Sequence, residues 1–297
     1  MSKLETPMVR AWWEGTGGRI CEEYPLVETH RGSQQRRRVD ALVDDSMASV
    51  WLDDWREFGD PEGAALVMVQ AKASALAMPL LGQAVFSPQL AIKHLGVASA
   101  RSALLCTASD LDLAPIAVEH GVEVVVQPEF GHARPWNLRP DRATLRWWTE
   151  QMDGEVVFDF RLTDRRAGAA GQVAHAVVLP DRPWQVTEPT ASMLAPSDGS
   201  LDGERVIIAT SPGGEGFGMY ALGQAMCSRR LIELHHRPAN VRTVVVVSRD
   251  DDAIGDLARE AGIEMVIAPE TRRDVHQPVS GAGADGADRQ PSQMPLQ

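Results

Sequence analysis

The sequence predicts an α/β protein made of two tandem copies of one α-β-β-β-α-β-α-β unit, each with a mixed central sheet flanked by helices. Three observations predict it. Gly82 to Glu129 aligns without a gap on Gly223 to Glu270, with about one position in three identical, and self-similarity at that level decides the architecture. Short apolar runs such as Ala65 to Val69, Val206 to Ala209 and Thr243 to Val247 suit strands buried on both faces. A length of 297 residues, at roughly 150 per domain, is enough for two cores.

The repeat opens on Gly82-Gln83-Ala84 and Gly223-Gln224-Ala225 and closes on Pro128-Glu129 and Pro269-Glu270. Upstream it persists as Trp12-Trp13 with Trp147-Trp148, Met78 with Met219, and Val39 to Leu42 with Ala174 to Val177. The expected units are residues 1–135 and 136–272. The following 273–297, rich in Gly, Ala, Asp, Gln, Pro and Ser without periodicity, read as a disordered tail.

In the first unit a helix is expected around Met8 to Trp13, then strands Arg19 to Val27, Arg37 to Val43 and Ala65 to Val69. A helix follows from Leu80 to His94, with a kink or break at Pro88. Then come the strand Ser102 to Thr107, a helix from Leu113 to His120 capped by Asp110 or Asp112 and ended by Gly121, and the strand Val122 to Val126. In the second unit Glu264 to Ile267 is the closing strand.

Composition narrows the functional classes. With 44% apolar and 24% charged residues the chain is neither collagen-like nor wholly disordered. The absence of an apolar run of about 18 residues or a secretory h-region predicts a cytoplasmic protein with no membrane partner. Three widely spaced cysteines without Cys-x-x-Cys argue against a disulfide framework or thiolate zinc site. A net charge of −12 repels a phosphate backbone, so nucleic-acid binding needs a local patch. Arg31, Arg36, Arg37 and Arg38 form the basic cluster available for one.

Features kept in both copies serve the fold, and features of one copy alone are candidates for chemistry. The first copy places Asp40 within the strand Arg-Val-Asp-Ala-Leu-Val, and Gln70 and Lys72, two apart and so on one strand face, at the end of Val-Met-Val-Gln-Ala-Lys. The second copy has His175, Ala209 and Ser211 in their places. A buried aspartate and lysine on adjacent strands need partners, and a metal ion or anionic substrate is one.

An aspartate on the second strand, followed by a strand ending in Gln70-Ala71-Lys72, resembles the PD-(D/E)XK nuclease superfamily with its restriction-endonuclease-like fold. The resemblance implies two tandem restriction-endonuclease-like domains, the first a Mg2+-dependent endonuclease on DNA, with Mn2+ as an alternative ion, and the second a degenerate pseudo-dimer partner. It implies that Asp40 holds the metal, that Gln70 fills the place of the usual acid, and that Lys72 polarises water and stabilises the developing charge. The remaining acid comes in this family from the opening helix, where Glu14 or Glu5 stands, while Glu22 and Glu23 on the first strand are also available. Glu22 is expected to share a face with Ile20, Tyr24 and Leu26, opposite a second-copy Phe158. All four glutamates remain open.

The second copy could position substrate through Arg229, Arg230, Arg237 and Arg242. A second reading is a non-catalytic module that keeps the fold to bind nucleic acid or protein, and a homodimer or protein partner stays open. A third is nucleotide binding at Gly216-x-Gly218 before a helix. His94 and His235, like the paired tryptophans, recur in both copies and are expected to pack or cap.

Overall fold

The computed structural model describes residues 5–27, 37–131, 139–187, 201–213 and 218–269. Arg31, Arg36, Gly216 and the tail 273–297 lie outside these residues. The first half runs α1 (Glu5–Thr16), β1 (Arg19–Glu22), β2 (Pro25–Val27), β3 (Arg37–Arg38), β4 (Ala41–Asp44), β5 (Val50–Leu52), β6 (Ala65–Ala75), α2 (Met78–Leu95), β7 (Ser99–Ala108), α3 (Ala114–Glu119) and β8 (Val122–Val126). The second runs α4 (Arg142–Thr149), β9 (Glu155–Arg161), β10 (Val173–Leu179), β11 (Gln185–Thr187), β12 (Arg205–Thr210), α5 (Met219–His236), β13 (Asn240–Val247), α6 (Asp252–Glu260) and β14 (Glu264–Ile267).

The two halves build one topology twice. Their six-stranded sheets are ordered β5-β1-β4-β6-β7-β8 and β11-β9-β10-β12-β13-β14. Polarity matches as well: the edge strand is parallel to its neighbour, the next two pairings are antiparallel, and the last two are parallel. The edge strands β5 and β11 were not expected from the sequence. Each is three residues long, too short to show a period, and β5 is pinned by Trp51, whose ring meets Trp13 edge-on at 5.4 Å.

The expected strand Arg19 to Val27 is split, because Glu23 adopts a left-handed backbone at φ 53°. Asp159 does the same at φ 47° in the second half. The turn flips the alternation of faces: Ile20 packs under α1, whereas Tyr24 and Leu26 join the opposite core, so Glu22 does not share their face. The expected strand Arg37 to Val43 is split likewise, leaving Asp40 in the gap between β3 and β4 rather than within a strand.

The expected break at Pro88 is absent, and α2 runs through it. Proline removes the N–H that would bond the carbonyl four residues back. That carbonyl, on Ala84, instead accepts the hydroxyl of Ser102 from β7. Neither aspartate caps α3 itself, whose N-cap is Leu113; Asp110 instead accepts from the amides of Asp112 and Leu113 in the turn that leads into the helix.

Each sheet buries one face under its opening helix. In the first half Met8, Val9 and Trp12 cover Ile20, Val43, Val67 and Val69, and in the second Leu145 and Trp148 cover Phe158, Ala176 and Val178. The other faces meet in a single core through α2 and α5. These helices cross at Gly82 and Gly223, where a Cβ on Gly82 would lie 2.0 Å from the Gly223 Cα and one on Gly223 would lie 2.2 Å from the Gly82 Cα. Only glycine permits backbones that close.

The contact between halves is near-twofold, each surface patch meeting its own counterpart. Ser87 Oγ lies 3.6 Å from Met219 Sδ, and Ser228 Oγ lies 3.9 Å from Met78 Sδ. Asp251 receives Arg37 at 2.7 Å, and its repeat equivalent Asp110 receives the Gln172 amide at 3.2 Å. No helix among the described residues is long and apolar enough to cross a membrane, and the three cysteines are buried and unbonded.

Candidate active site

Where β4 stops pairing with β6, one backbone donor on β6 loses its ladder partner. The register of the two strands ends at Ala41 opposite Val69. Two residues on, the Ala71 amide donates to Asp40 Oδ2 at 2.8 Å, so the break that removes Asp40 from the strand also aims its carboxylate at β6. The next residue, Lys72, extends its ammonium to Glu5 Oε1 at 2.6 Å. Glu5 begins α1 and is only 5% exposed, while the Lys72 side chain is 37% exposed. Three elements thus deliver two carboxylates and one ammonium to one end of the first sheet.

Burial pushes the Asp40 carboxyl up to about 6. The nearby negative charge of Glu5 pushes the same way, and the Ala71 amide and Lys72 oppose it. Two acids sharing one lysine leave excess negative charge in a place that water reaches poorly.

Gln70 lies elsewhere in detail. It is fully buried and its amide nitrogen donates to Ser87 Oγ of α2 at 3.0 Å. Its Oε1 is buried with no hydrogen-bond partner among the described residues, an expensive condition for an acceptor.

The four glutamates separate clearly. Glu5 is the one that reaches Lys72. Glu14 is exposed in the last turns of α1, about 14 Å further along the helix axis. Glu23 donates its amide to the Asp40 carbonyl at 2.9 Å, but its carboxylate pairs with Arg38 at 3.4 Å. Glu22 sits beside Ala41 in register, on the α1 face; burial raises its carboxyl, opposed by a hydrogen bond from Thr6 and by Arg10.

Of the expected basic cluster, the two described residues, Arg37 and Arg38, are both ion-paired. Arg37 is 11% exposed and bonded to Asp251 of the second half, and Arg38 is held by Glu23. In the second half Arg229 pairs with Glu233, Arg230 with Glu119 and Arg242 with Glu264. His94 and His235 occupy exposed positions in the last turns of α2 and α5 rather than packed ones. Trp12 and Trp148 are core residues.

The second half carries a different side chain at each equivalent position. Ala41 opposite Val69 corresponds to Ala176 opposite Ala209, which sets Asp40 on His175, Gln70 on Thr210 and Lys72 on Pro212. The expected equivalents Ala209 and Ser211 are therefore one residue early. Counting from Trp12 and Trp147, Glu5 falls on Pro140. Pro140 forms an isolated bridge with Pro212, so a pair of prolines stands where the first half has its Glu5–Lys72 ion pair.

One residue within electrostatic range of the first site carries no sequence signal. Tyr220, in the first turn of α5, hydrogen-bonds with Gln83 of α2. Burial pushes its hydroxyl up to about 12, with Asp40 and Glu5 adding to the rise and Gln83 and Arg37 opposing it. Among the described residues no group of three or more His, Cys, Asp or Glu side chains is placed to hold a metal ion; the carboxylates at this site are two, Glu5 and Asp40. No protein-family model, curated protein or solved structure matches the chain.

Proposed function

We propose that the first half is a divalent-cation-dependent nuclease that hydrolyses phosphodiester bonds of DNA, with the second half as its pseudo-dimer partner. The observation that carries this reading is the convergence of Glu5, Asp40 and Lys72 from a helix start, a strand gap and a strand end. Magnesium or manganese suits these donors. Both carboxylates are hard oxygen ligands, whereas Gln70 turns to Ser87 of α2.

Glu5 and Asp40 would hold the ion, which when bound supplies a Lewis acid and a more acidic water. The Ala71 amide fixes the orientation of Asp40. Lys72, whose ammonium now pairs with Glu5, would supply positive charge where charge develops on the phosphate. Purified protein should cut plasmid DNA with magnesium or manganese, and Lys72→Ala and Asp40→Ala should each lower the rate by about 10²-fold or more.

A second reading is a non-catalytic module that binds nucleic acid or protein through the same fold. It is favoured by the neutral Gln70 in the acid position and by the ion pairs that occupy Arg37 and Arg38. Binding of DNA without cleavage under either metal would establish it.

A further inference from the structure

We propose that the second half holds duplex DNA by its phosphates through Arg139, Arg142 and Arg146, at the sheet end that corresponds to the site of the first half. This rests on the reading of the first half as a DNA nuclease, and it gives the second half the task of holding the substrate rather than cutting it.

The placement follows from topology. α2 joins the parallel strands β6 and β7, and α5 joins the parallel strands β12 and β13. A helix in such a crossover starts at the C-terminal end of its sheet. The glycine crossing lies at the fifth residue of each helix, roughly 6 Å of helix from either start. The C-terminal ends of β6 and β12 therefore flank the crossing together. The 2.7 Å pair of Arg37 with Asp251 ties the same two ends, joining β3 to the start of α6. A duplex exposes a phosphate every 1.7 Å or so along its axis, so one that reaches Lys72 also passes the end of the second sheet.

That end is basic where the first is acidic. The segment before α4 is clamped on the chain that leaves β12: Gly213 donates to the Arg139 carbonyl at 2.7 Å, and Asp141 donates to the Ser211 carbonyl at 3.1 Å. Arg139 is exposed at this end; Arg142 begins α4, and Arg146, also exposed, stands one turn further along the same helix face. Arg142 is held by Asp159 and lies over the Phe158 ring at 5.3 Å, which fixes its guanidinium at the sheet end. The acid between the arginines is spent on the backbone, since Asp141 accepts from the Thr144 amide at 3.1 Å. Counted from Trp12 and Trp147, the first half has Leu4, Pro7 and Ala11 at the three arginine positions. Three positive charges gained by one copy only, in a chain of net charge −12, form a local patch of the kind a phosphate backbone needs.

Anisotropy titrations of short labelled duplexes of two unrelated sequences, in chelator so that nothing is cut, decide it. Arg139→Gln/Arg146→Gln should weaken both duplexes alike and lower the slope of log affinity against log salt by about 2, one per phosphate contact. Arg139→Lys/Arg146→Lys, which keeps the charge, should retain the slope. Arg259→Gln should bind as wild type, because α6 joins the parallel strands β13 and β14 and carries Arg259 in its last turn, at the opposite end of the sheet. A wild type that binds neither duplex, a glutamine pair with the wild-type slope, a lysine pair that loses it, or an equal loss from Arg259→Gln overturns the proposal. Plasmid cleavage is read separately. Binding that depends on these arginines without cleavage under magnesium or manganese overturns the nuclease reading alone, and cleavage by a protein whose glutamine pair binds as wild type overturns the holding role alone.

Discussion

The two halves share strand order, strand polarity and the reciprocal glycine crossing, yet they diverge around one end of the sheet. There the first half has Glu5, Asp40, Gln70 and Lys72, and the second has Pro140, His175, Thr210 and Pro212. Where both halves must fold, both keep the same solution: Gly18 and Gly154 each sit at positive φ against the carbonyl of a neighbouring strand, and Asp110 and Asp251 each accept from a backbone amide three residues on at the entry to a helix. At that one end of the sheet the second half carries rings and a hydroxyl where the first carries charged and amide side chains. Stability and reactivity are thus separable by comparing equivalent positions within a single chain.

The largest expected contrast is in activity. Lys72→Ala should reduce metal-dependent cleavage by about 10²- to 10³-fold, whereas Pro212→Ala at the matching position should leave the rate unchanged. Steady-state plasmid assays check both, and an equal loss from the two variants would break the division of labour.

Next in size is the shared crossing. Gly82→Val must push a side chain into the Gly223 backbone, and about 3 kcal/mol of destabilisation is expected from overpacking that the facing glycine cannot relieve. Gly223→Val should cost about as much, and denaturant melts would show a broken equivalence if one were tolerated.

Asp40 should be a burden on the metal-free fold. Its carboxyl is raised from 3.8 to about 6, so the folded chain holds a proton that the unfolded chain releases. Stability from this group is therefore complete below pH 4 and is lost as the pH rises through about 6. Asp40→Asn keeps an acceptor for the Ala71 amide and should raise stability at pH 8 by up to about 3 kcal/mol, flattening the profile between pH 4 and 6. A variant less stable than wild type at pH 8 in chelator would contradict that origin of the shift.

A smaller effect is expected from Arg37→Gln, which copies the Gln172 of the other half. The pair with Asp251 is nearly buried, so about 1–3 kcal/mol should be lost, the glutamine recovering part of the bond as Gln172 does with Asp110. Smallest is Glu14→Ala, an exposed change far from Lys72, with less than about 0.5 kcal/mol in stability and no change in cleavage expected.

Much of the fold is legible in the sequence because duplication doubles the signal. Apolar runs at Val206 and Thr243 report buried strands, and identical Gly-Gln-Ala starts locate the paired long helices. Asp40 and Lys72 could be singled out because charge within an apolar strand pattern has to be answered by something nearby.

What stayed hidden has particular causes. A glutamate at left-handed φ carries no mark in the sequence, so the turn at Glu23 that splits the expected strand Arg19 to Val27 and reverses the face of Tyr24 could not be read. The gapless repeat begins at Gly82, upstream of which loops differ in length, and so the equivalence of Gln70 slipped by one residue from Thr210 to Ala209. Glu5 and Glu14 lie on the same helix, and only the position of Lys72 in space distinguishes them. Tyr220 is 180 residues from Asp40 in the chain, and its approach depends on a helix crossing that no local pattern encodes.

On the proposed reading, a single site in the first half would cut one DNA strand at each encounter. Incubating supercoiled plasmid with the full chain and magnesium tests it most directly. Open-circular DNA should accumulate first, linear product should appear only later, and both should vanish with Lys72→Ala. Intact plasmid with either magnesium or manganese, linear product without a nicked precursor, or cleavage that survives Lys72→Ala would contradict the account.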